Sequence, residues 1–347
     1  MKVLEDLINL DGVSSNEQEV RNFIIKEAKK SVKDVKVDKM GNVVAIKKGK
    51  KPTIMLAAHM DEIGMMVSSV NKKGRISISP IGGIDPFILI GQKVKVEGTK
   101  SKIGGIITTS EILDGADMKK DLIMDDLFIY TGLNKKELSA IGIKVGSYVT
   151  FTESSRYCNL CSVKSTVGAT DIIAGKALDD RIGCFILLES MKNLKTQNEV
   201  IFVFTVQEEV GLYGAKASVF NVDPDYAIAV DVTPHNSFDE SILLRKGPVL
   251  TVKDAAMISN KCLVNGLESA ASRAKVGVQL EVSEAGTTDA TSIFAAKGGI
   301  PSAVFGVAVG GLHTAVSVAS KQDIKGAVKV IKEFLRKPPK ECWVDKK

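Results

Sequence analysis

From about residue 67 to 164 the chain carries only short Val/Ile/Thr-rich runs punctuated by glycine, among them Arg75–Ser79, Lys93–Val96, Ile103–Thr108 and Ser147–Phe151. Closely spaced short strands of this kind build a small barrel or sandwich, not strand–helix–strand units. Both flanks read differently. Before it, helix patterns over Met1–Leu10 and Asn16–Lys30 lead to short β-rich runs and then to Thr53–Ala58, apolar on both faces and free of glycine, the signature of a central strand covered on both sides. After it, helices over Asp180–Met191, Lys261–Lys275 and Asp323–Leu335 alternate with strands Val200–Val206, Tyr226–Val230, Val278–Val282 and Ser302–Val309. The pattern predicts an α/β domain made of residues 1–66 and 165–347, interrupted by a β-rich domain at 67–164. Ser14 or Ser15, with Glu17 and Gln18, is placed to form a capping box at the second helix.

Composition excludes several function classes. Lys and Arg together number 47 against 41 Asp and Glu, a net charge of +6 spread along 347 residues, and 40 of the 47 cations are Lys, the poorer phosphate fork. No nucleic-acid partner is expected. No apolar stretch approaches the roughly 18 residues of a membrane span, and the first twenty residues lack the pattern of a signal peptide. Five Cys, odd and sparse, suit reduced thiols in a cytoplasm better than a disulfide framework.

In open α/β sheets chemistry collects where strands end. Thr53–Ala58 is followed by His59-Met-Asp61-Glu62, Val200–Val206 by Gln207-Glu208-Glu209, Tyr226–Val230 by Asp231, and Ser302–Val309, past Gly310-Gly311-Leu312, by His313. Asp179 opens the helix after the β insertion. Singly, a histidine or a paired acid is usually a structural or solvated residue. Jointly, these acids and two of only three His in the chain form a donor set suited to divalent metals. His59 and Asp61 are two apart, so Asp61 can accept the second ring N–H and fix the tautomer. Glu208 and Glu209 point different ways, so one can bind metal while the other moves a proton.

The strings Leu56-Ala-Ala-His59-Met-Asp61-Glu-Ile-Gly64, Gly175-Lys-Ala-Leu-Asp179-Asp-Arg181, Thr205-Val-Gln-Glu208-Glu209-Val-Gly211, Ala229-Val-Asp231-Val-Thr233 and Glu284-Ala-Gly-Thr-Thr-Asp289-Ala290 resemble, in order, the signatures of the M42 metallo-aminopeptidases, the tetrahedral or TET peptidases. The resemblance implies a zinc-peptidase-like α/β/α catalytic domain with an inserted β-barrel-like dimerisation domain. It further implies two divalent ions per subunit, zinc or cobalt with manganese possible by ligand type, and a homo-oligomer built from dimers into a dodecamer. Position by position, one metal falls to His59 and Asp231 and the other to Glu209 and His313, with Asp179 bridging. Glu208 matches the general acid/base, Asp61 the orienting acid, and Asp289 a motif near the substrate, a helix N-cap being its plainer reading. The expected activity is removal of N-terminal residues from peptides with a free N-terminus, by attack of metal-activated water. Two other readings stand beside it: a metal-independent glycan hydrolase, since some family members carry an endoglucanase label, and an assembly protein with an impaired site. The second is motivated by Gly310, Gly311 and Ser317 around His313, where the family has polar neighbours and an acid. His235 is not expected to be a metal ligand, since five ligands and water satisfy two ions, and Cys158 and Cys161 are expected to be two reduced thiols and not a structural zinc site, which would need a second pair nearby.

Overall fold

The apolar run that ends at His59 lies in the middle of a large sheet in the computed structural model, which describes residues 1–115, 121–152, 161–165, 168–238 and 240–342. In chain order the elements are α1 (Lys2–Ile8), α2 (Gln18–Ala28), β1 (Asp34–Val37), β2 (Val43–Lys47) and β3 (Lys50–His59). Next come β4 (Gly64–Val70), β5 (Ile76–Ile81), β6 (Lys93–Glu97), β7 (Lys102–Thr109), α3 (Ser110–Asp114), β8 (Leu127–Tyr130), α4 (Lys135–Ala140) and β9 (Tyr148–Phe151). The chain continues through β10 (Cys161–Ser165), β11 (Gly168–Gly175), α5 (Leu178–Met191), β12 (Asn198–Thr205), α6 (Tyr213–Asn221), β13 (Tyr226–Pro234), β14 (Val249–Lys253), α7 (Lys261–Ala274) and β15 (Gln279–Val282). It closes with α8 (Asp289–Phe294), β16 (Ser302–Gly310), β17 (Ser317–Ser320) and α9 (Lys321–Arg336).

Eleven strands form the large sheet in the order β1-β2-β12-β3-β13-β16-β17-β11-β10, with β14 on β16 and β15 on β14. The four central strands β12, β3, β13 and β16 run parallel, so their C-terminal ends open at one edge. Strand alternation splits the core: Ile54, Leu56 and Ala58 pack with α1, α2, α5, α7 and α9, whereas Met55 and Ala57 face α6 and α8. That double burial is why β3 reads as continuously apolar.

β4 to β9 close into a six-stranded antiparallel barrel, order β4-β5-β8-β7-β6-β9, around Met65, Val67, Ile76, Val94, Ile107, Ile129 and Val149. The barrel strands run from Gly64 to Phe151, and β10 pairs with β11 in the large sheet. Lys95 and Lys102 of the barrel both reach Asp11 of the α/β domain, at 2.5 and 2.9 Å, and Asn16 donates to Glu97 at 2.8 Å.

Two local expectations are corrected. The N-cap of α2 is Glu17 and no side chain caps that helix; Ser14 instead donates to Asp61 at 2.6 Å, a long-range bond that takes the hydroxyl away from the helix. The thiols are not all reduced: Cys262, at the start of α7, is disulfide-bonded to Cys342, 80 residues on, because the chain after α9 folds back over α7. Tyr226 donates to the Pro339 carbonyl and Asn260 to that of Cys342, fixing that return. Cys184 is free and buried, its thiol donating to the His59 carbonyl at 3.1 Å. Cys158 and the side chain of Cys161 lie outside the described residues.

Directly behind the strand ends sits a buried ion cluster. The Glu62 carboxylate accepts from Lys176 at 2.8 Å and from the Gly12 amide at 2.9 Å, with Arg181 at 3.4 Å. Arg181, fully buried, also donates to the Leu7 and Met60 carbonyls at 2.6 and 3.1 Å, tying α1 to the head of α5. Burial pushes the Lys176 ammonium below the usual lysine range, opposed by Glu62. Removing one member of such a cluster leaves buried charge uncompensated. Glu62→Gln is therefore expected to cost about 3–5 kcal/mol of stability, read as a lowered midpoint in urea unfolding with unchanged slope.

Candidate metal centre

His59 is the last residue of β3, where backbone pairing with β12 ends at Thr205. Its Nε2 lies 2.9 Å from Asp179 Oδ1, 3.9 Å from Asp231 Oδ1 and 4.0 Å from Glu208 Oε2. Its Nδ1 faces Asp61, 3.2 Å from the main-chain oxygen and 3.4 Å from Oδ1. Asp61 does more than orient His59. Its carboxylate also accepts from the Glu208 and Glu209 amides at 3.1 and 3.2 Å, pinning the turn that carries both acids. Gln207, at φ 54°, starts that turn after β12.

Asp179 sits where α5 has not yet become helical: Asp179 and Asp180 have non-helical backbone, the peptide between them is cis, and regular helix follows. Asp180 Oδ1 accepts from the Gly183 amide at 2.8 Å, and a Cβ at Gly183 would stand 2.4 Å from the Val230 carbonyl. This tight contact sets the helix head against β13. Asp231 lies within β13, which continues to Pro234, and not past the strand's end as its sequence pattern suggested. His313 stands in the loop between β16 and β17 at φ 54°, its Nε2 3.5 Å from Asp179 Oδ2 and 3.4 Å from Glu209 Oε2. The residues around it explain this loop. Gly311, at φ 71°, offers its carbonyl to both the Thr314 and Ser317 hydroxyls at 2.7 Å, making the turn that presents the ring.

The donors form two groups, His59/Asp179/Asp231 and Asp179/Glu209/His313, each with ligand atoms within 4.8 Å of one another. Asp179 belongs to both. Glu208, near His59, belongs to neither. Electrostatics call for cations here. Burial raises the Glu208 carboxyl well above its ordinary range, Glu209 to about 8 and Asp231 to about 7, with neighbouring carboxylates adding to it. His313 is raised to about 9, chiefly by Asp179; His59 is raised too, its burial outweighed by Glu208, Asp179 and Asp61. The Asp179 carboxyl is lowered, because its bonds to His313 and His59 outweigh its burial. A site that holds protons so strongly has more negative charge than its two imidazoles balance, and imidazole with carboxylate oxygen is the donor chemistry of zinc, cobalt or manganese.

Asp289 lies close enough to Glu208 and Asp231 for its charge to raise both carboxyls. It is buried, accepts from Thr205 at 2.5 Å, and is not part of the cavity wall; Thr288 before it is the N-cap of α8 and lines the cavity. His235 lies apart from both donor groups and faces the Ile242 carbonyl at 3.1 Å. Residues that the sequence reading passed over are Gly82 and Gly83 of the barrel. A Cβ at Gly83 would stand 3.0 Å from His313 Nδ1, and one at Gly82 3.2 Å from Glu209 Oε2. The Gly83 main chain also hydrogen-bonds His313. The inserted domain thus backs one donor group, and only glycine leaves room for it.

Residues 41–330 match the family model described as M42 glutamyl aminopeptidase. A putative aminopeptidase of Acetivibrio thermocellus is 40% identical over 338 residues, covering 96% of this chain and 97% of that protein. The lysyl aminopeptidase of Pyrococcus furiosus is 30% identical over 345 residues, covering 96% of each. Among solved structures, the TET aminopeptidase of a marine sediment Thaumarchaeota archaeon superposes with a TM-score of 0.90 at 31% identity, covering 97% of both chains. The Pyrococcus horikoshii TET1 peptidase, described as able to assemble into a tetrahedron or a large octahedral shell, gives 0.84 at 29% identity, covering 97% and 99%. No helix among the described residues is long and apolar enough to cross a membrane. With its motifs in order, its barrel inserted in an α/β domain and its match over most of its length, the chain belongs to the M42 aminopeptidase family and has the TET aminopeptidase fold.

Proposed function

We propose that this aminopeptidase uses two divalent metal ions to remove single residues from the N-terminus of peptides, with Glu208 moving the proton. The observation that carries this is Asp179, shared by two groups of metal donors while Glu208 stands beside them and in neither. His59 and Asp231 would hold one ion, Glu209 and His313 the other, and Asp179 both. Ions bound there supply Lewis acidity, polarising the scissile carbonyl and acidifying water. Asp61 turns His59 so that Nε2 faces Asp179 and Asp231. Glu208 takes a proton from the attacking water and returns it to the leaving amine.

The test is a set of peptides with free and acetylated N-termini, given to protein reconstituted with zinc or cobalt. Stepwise release from free termini alone is expected, with loss on chelation and recovery on metal return. Equal cleavage of blocked peptides overturns exopeptidase action, peptide cleavage that survives chelation overturns the metal requirement, and hydrolysis of a β-glucan by the chelated protein in place of peptide cleavage would favour a metal-independent glycan hydrolase. His313→Ala is expected to lower bound metal from two ions per subunit to one, measured by elemental analysis; two retained ions would remove His313 from the ligand set.

For the assembly we infer a TET-like dodecamer built through the barrels. Phe87, Ile106, Ile123, Tyr130 and Val145 are apolar and exposed on this domain and offer contact surface to a second copy. Native mass spectrometry showing only monomers would overturn it.

A further inference from the structure

The fold encloses a second cavity, of about 520 Å³, that shares no wall residue with the cavity beside the metal donors. It lies where the loop between β13 and β14, the end of α7 and the first half of α9 meet. Arg245 and Lys246 come from the loop, Lys275 from the C-cap of α7, and Lys325 and Lys329 from α9. All five are exposed, and among the described residues none is in an ion pair.

The two acids of the wall do not answer these cations. Asp323 is fully buried and accepts from the Arg245 and Gly247 amides at 2.6 and 2.9 Å, so its carboxylate shapes the loop. Asp171 accepts from the Ser320 hydroxyl and, at 3.1 Å, from the Gln322 amide, fixing the start of α9. Five cations against two acids leave the wall three charges positive. The arrangement costs the fold twice. Lys325 and Lys329 are four residues apart on α9, the spacing at which like charges repel. Arg245 and Lys275 have left-handed backbone, φ 68° and 55°, where glycine is the unstrained residue. Cations kept at strained and mutually repelling positions around one concavity call for an anion.

The wall also limits which anion. The cations converge from three elements, so a ligand with a single anionic group does not meet them all. The only apolar side chains lining the cavity are Pro248 and Val276, and no aromatic ring among the described residues offers a nucleobase a surface to stack on. The volume is that of a small-molecule pocket. We propose that this cavity binds a compact polyphosphate, with Arg245 as the planar fork and the four lysines as point charges. The proposal shares no residue with the metal centre and does not depend on its reading.

Titration calorimetry of the metal-loaded protein with tripolyphosphate, at physiological ionic strength, tests it. One tripolyphosphate per subunit is expected, bound about tenfold or more tighter than orthophosphate or citrate, with ATP no tighter than tripolyphosphate. Lys325→Ala combined with Lys329→Ala, on the exposed side of a helix that alanine favours, should weaken binding by about tenfold or more. Lys275→Gly should weaken it by about threefold or more without lowering the unfolding midpoint, since glycine suits the left-handed position. Lys50→Ala combined with Lys195→Ala removes two exposed cations from a different cavity and should leave the affinity within about twofold. Chelation of the metal ions by the probe is common to all these proteins and cancels in the comparison. Absence of saturable binding, equal weakening by the Lys50 and Lys195 control, citrate or orthophosphate binding as tightly as tripolyphosphate, or ATP binding tenfold more tightly overturns the polyphosphate site.

Discussion

Glu208→Gln is expected to lower kcat by about 10²–10⁴-fold while each subunit keeps two bound metal ions. The amide has nearly the shape of the carboxylate, so the turn should persist: Asp61 holds it through the main-chain amides of Glu208 and Glu209, which the substitution does not touch. What is lost is the ability to accept a proton. Because Glu208 lies 4.0 Å from His59 Nε2 yet outside both donor groups, metal content and turnover should separate. Elemental analysis and single-substrate kinetics on one preparation check this. Retained turnover would reassign the proton carrier, and lost metal would make Glu208 a ligand.

Asp179→Ala is the complementary case, in which metal and turnover should fall together. Its two oxygens face different partners, Oδ1 toward His59 and Oδ2 toward His313, so its removal opens both donor groups at once. Losing both ions removes several kcal/mol of charge stabilisation, about 10³-fold or more in kcat/KM. His313→Ala should spare one ion; Asp179→Ala should spare none. A variant that binds one full equivalent, with its unfolding midpoint intact, would overturn the bridging role.

The donors were legible in the sequence for a specific reason. His59, Glu209, Asp231 and His313 follow apolar runs that read as inner strands, Asp179 opens the helix after the insertion, and imidazoles are so scarce in this chain that two at strand ends stand out. The two textures were legible for the same kind of reason, since a run of glycine-punctuated short strands cannot cover the faces of a parallel sheet. Bonds between distant residues were not. Ser14 reads as a helix cap until Asp61 claims it. Cys262 and Cys342 read as thiols until the end of the chain returns to α7. Gly82 and Gly83 gain a role only when the barrel is seated against His313 and Glu209.

By itself, then, the sequence determined the kinds of chemistry available and their order along the chain: which acids and imidazoles end strands, and where one domain interrupts the other. These are local properties, set by the alternation of side chains and the rarity of His. The tertiary structure decided which of these groups meet. Strand order placed β3 between β12 and β13, so that residues 120 apart, His59 and Asp179, came within 2.9 Å, and register laid Asp231, Thr251 and Glu281 on one face. Burial then did what no spacing could show, turning surplus carboxylates into a cluster that needs cations.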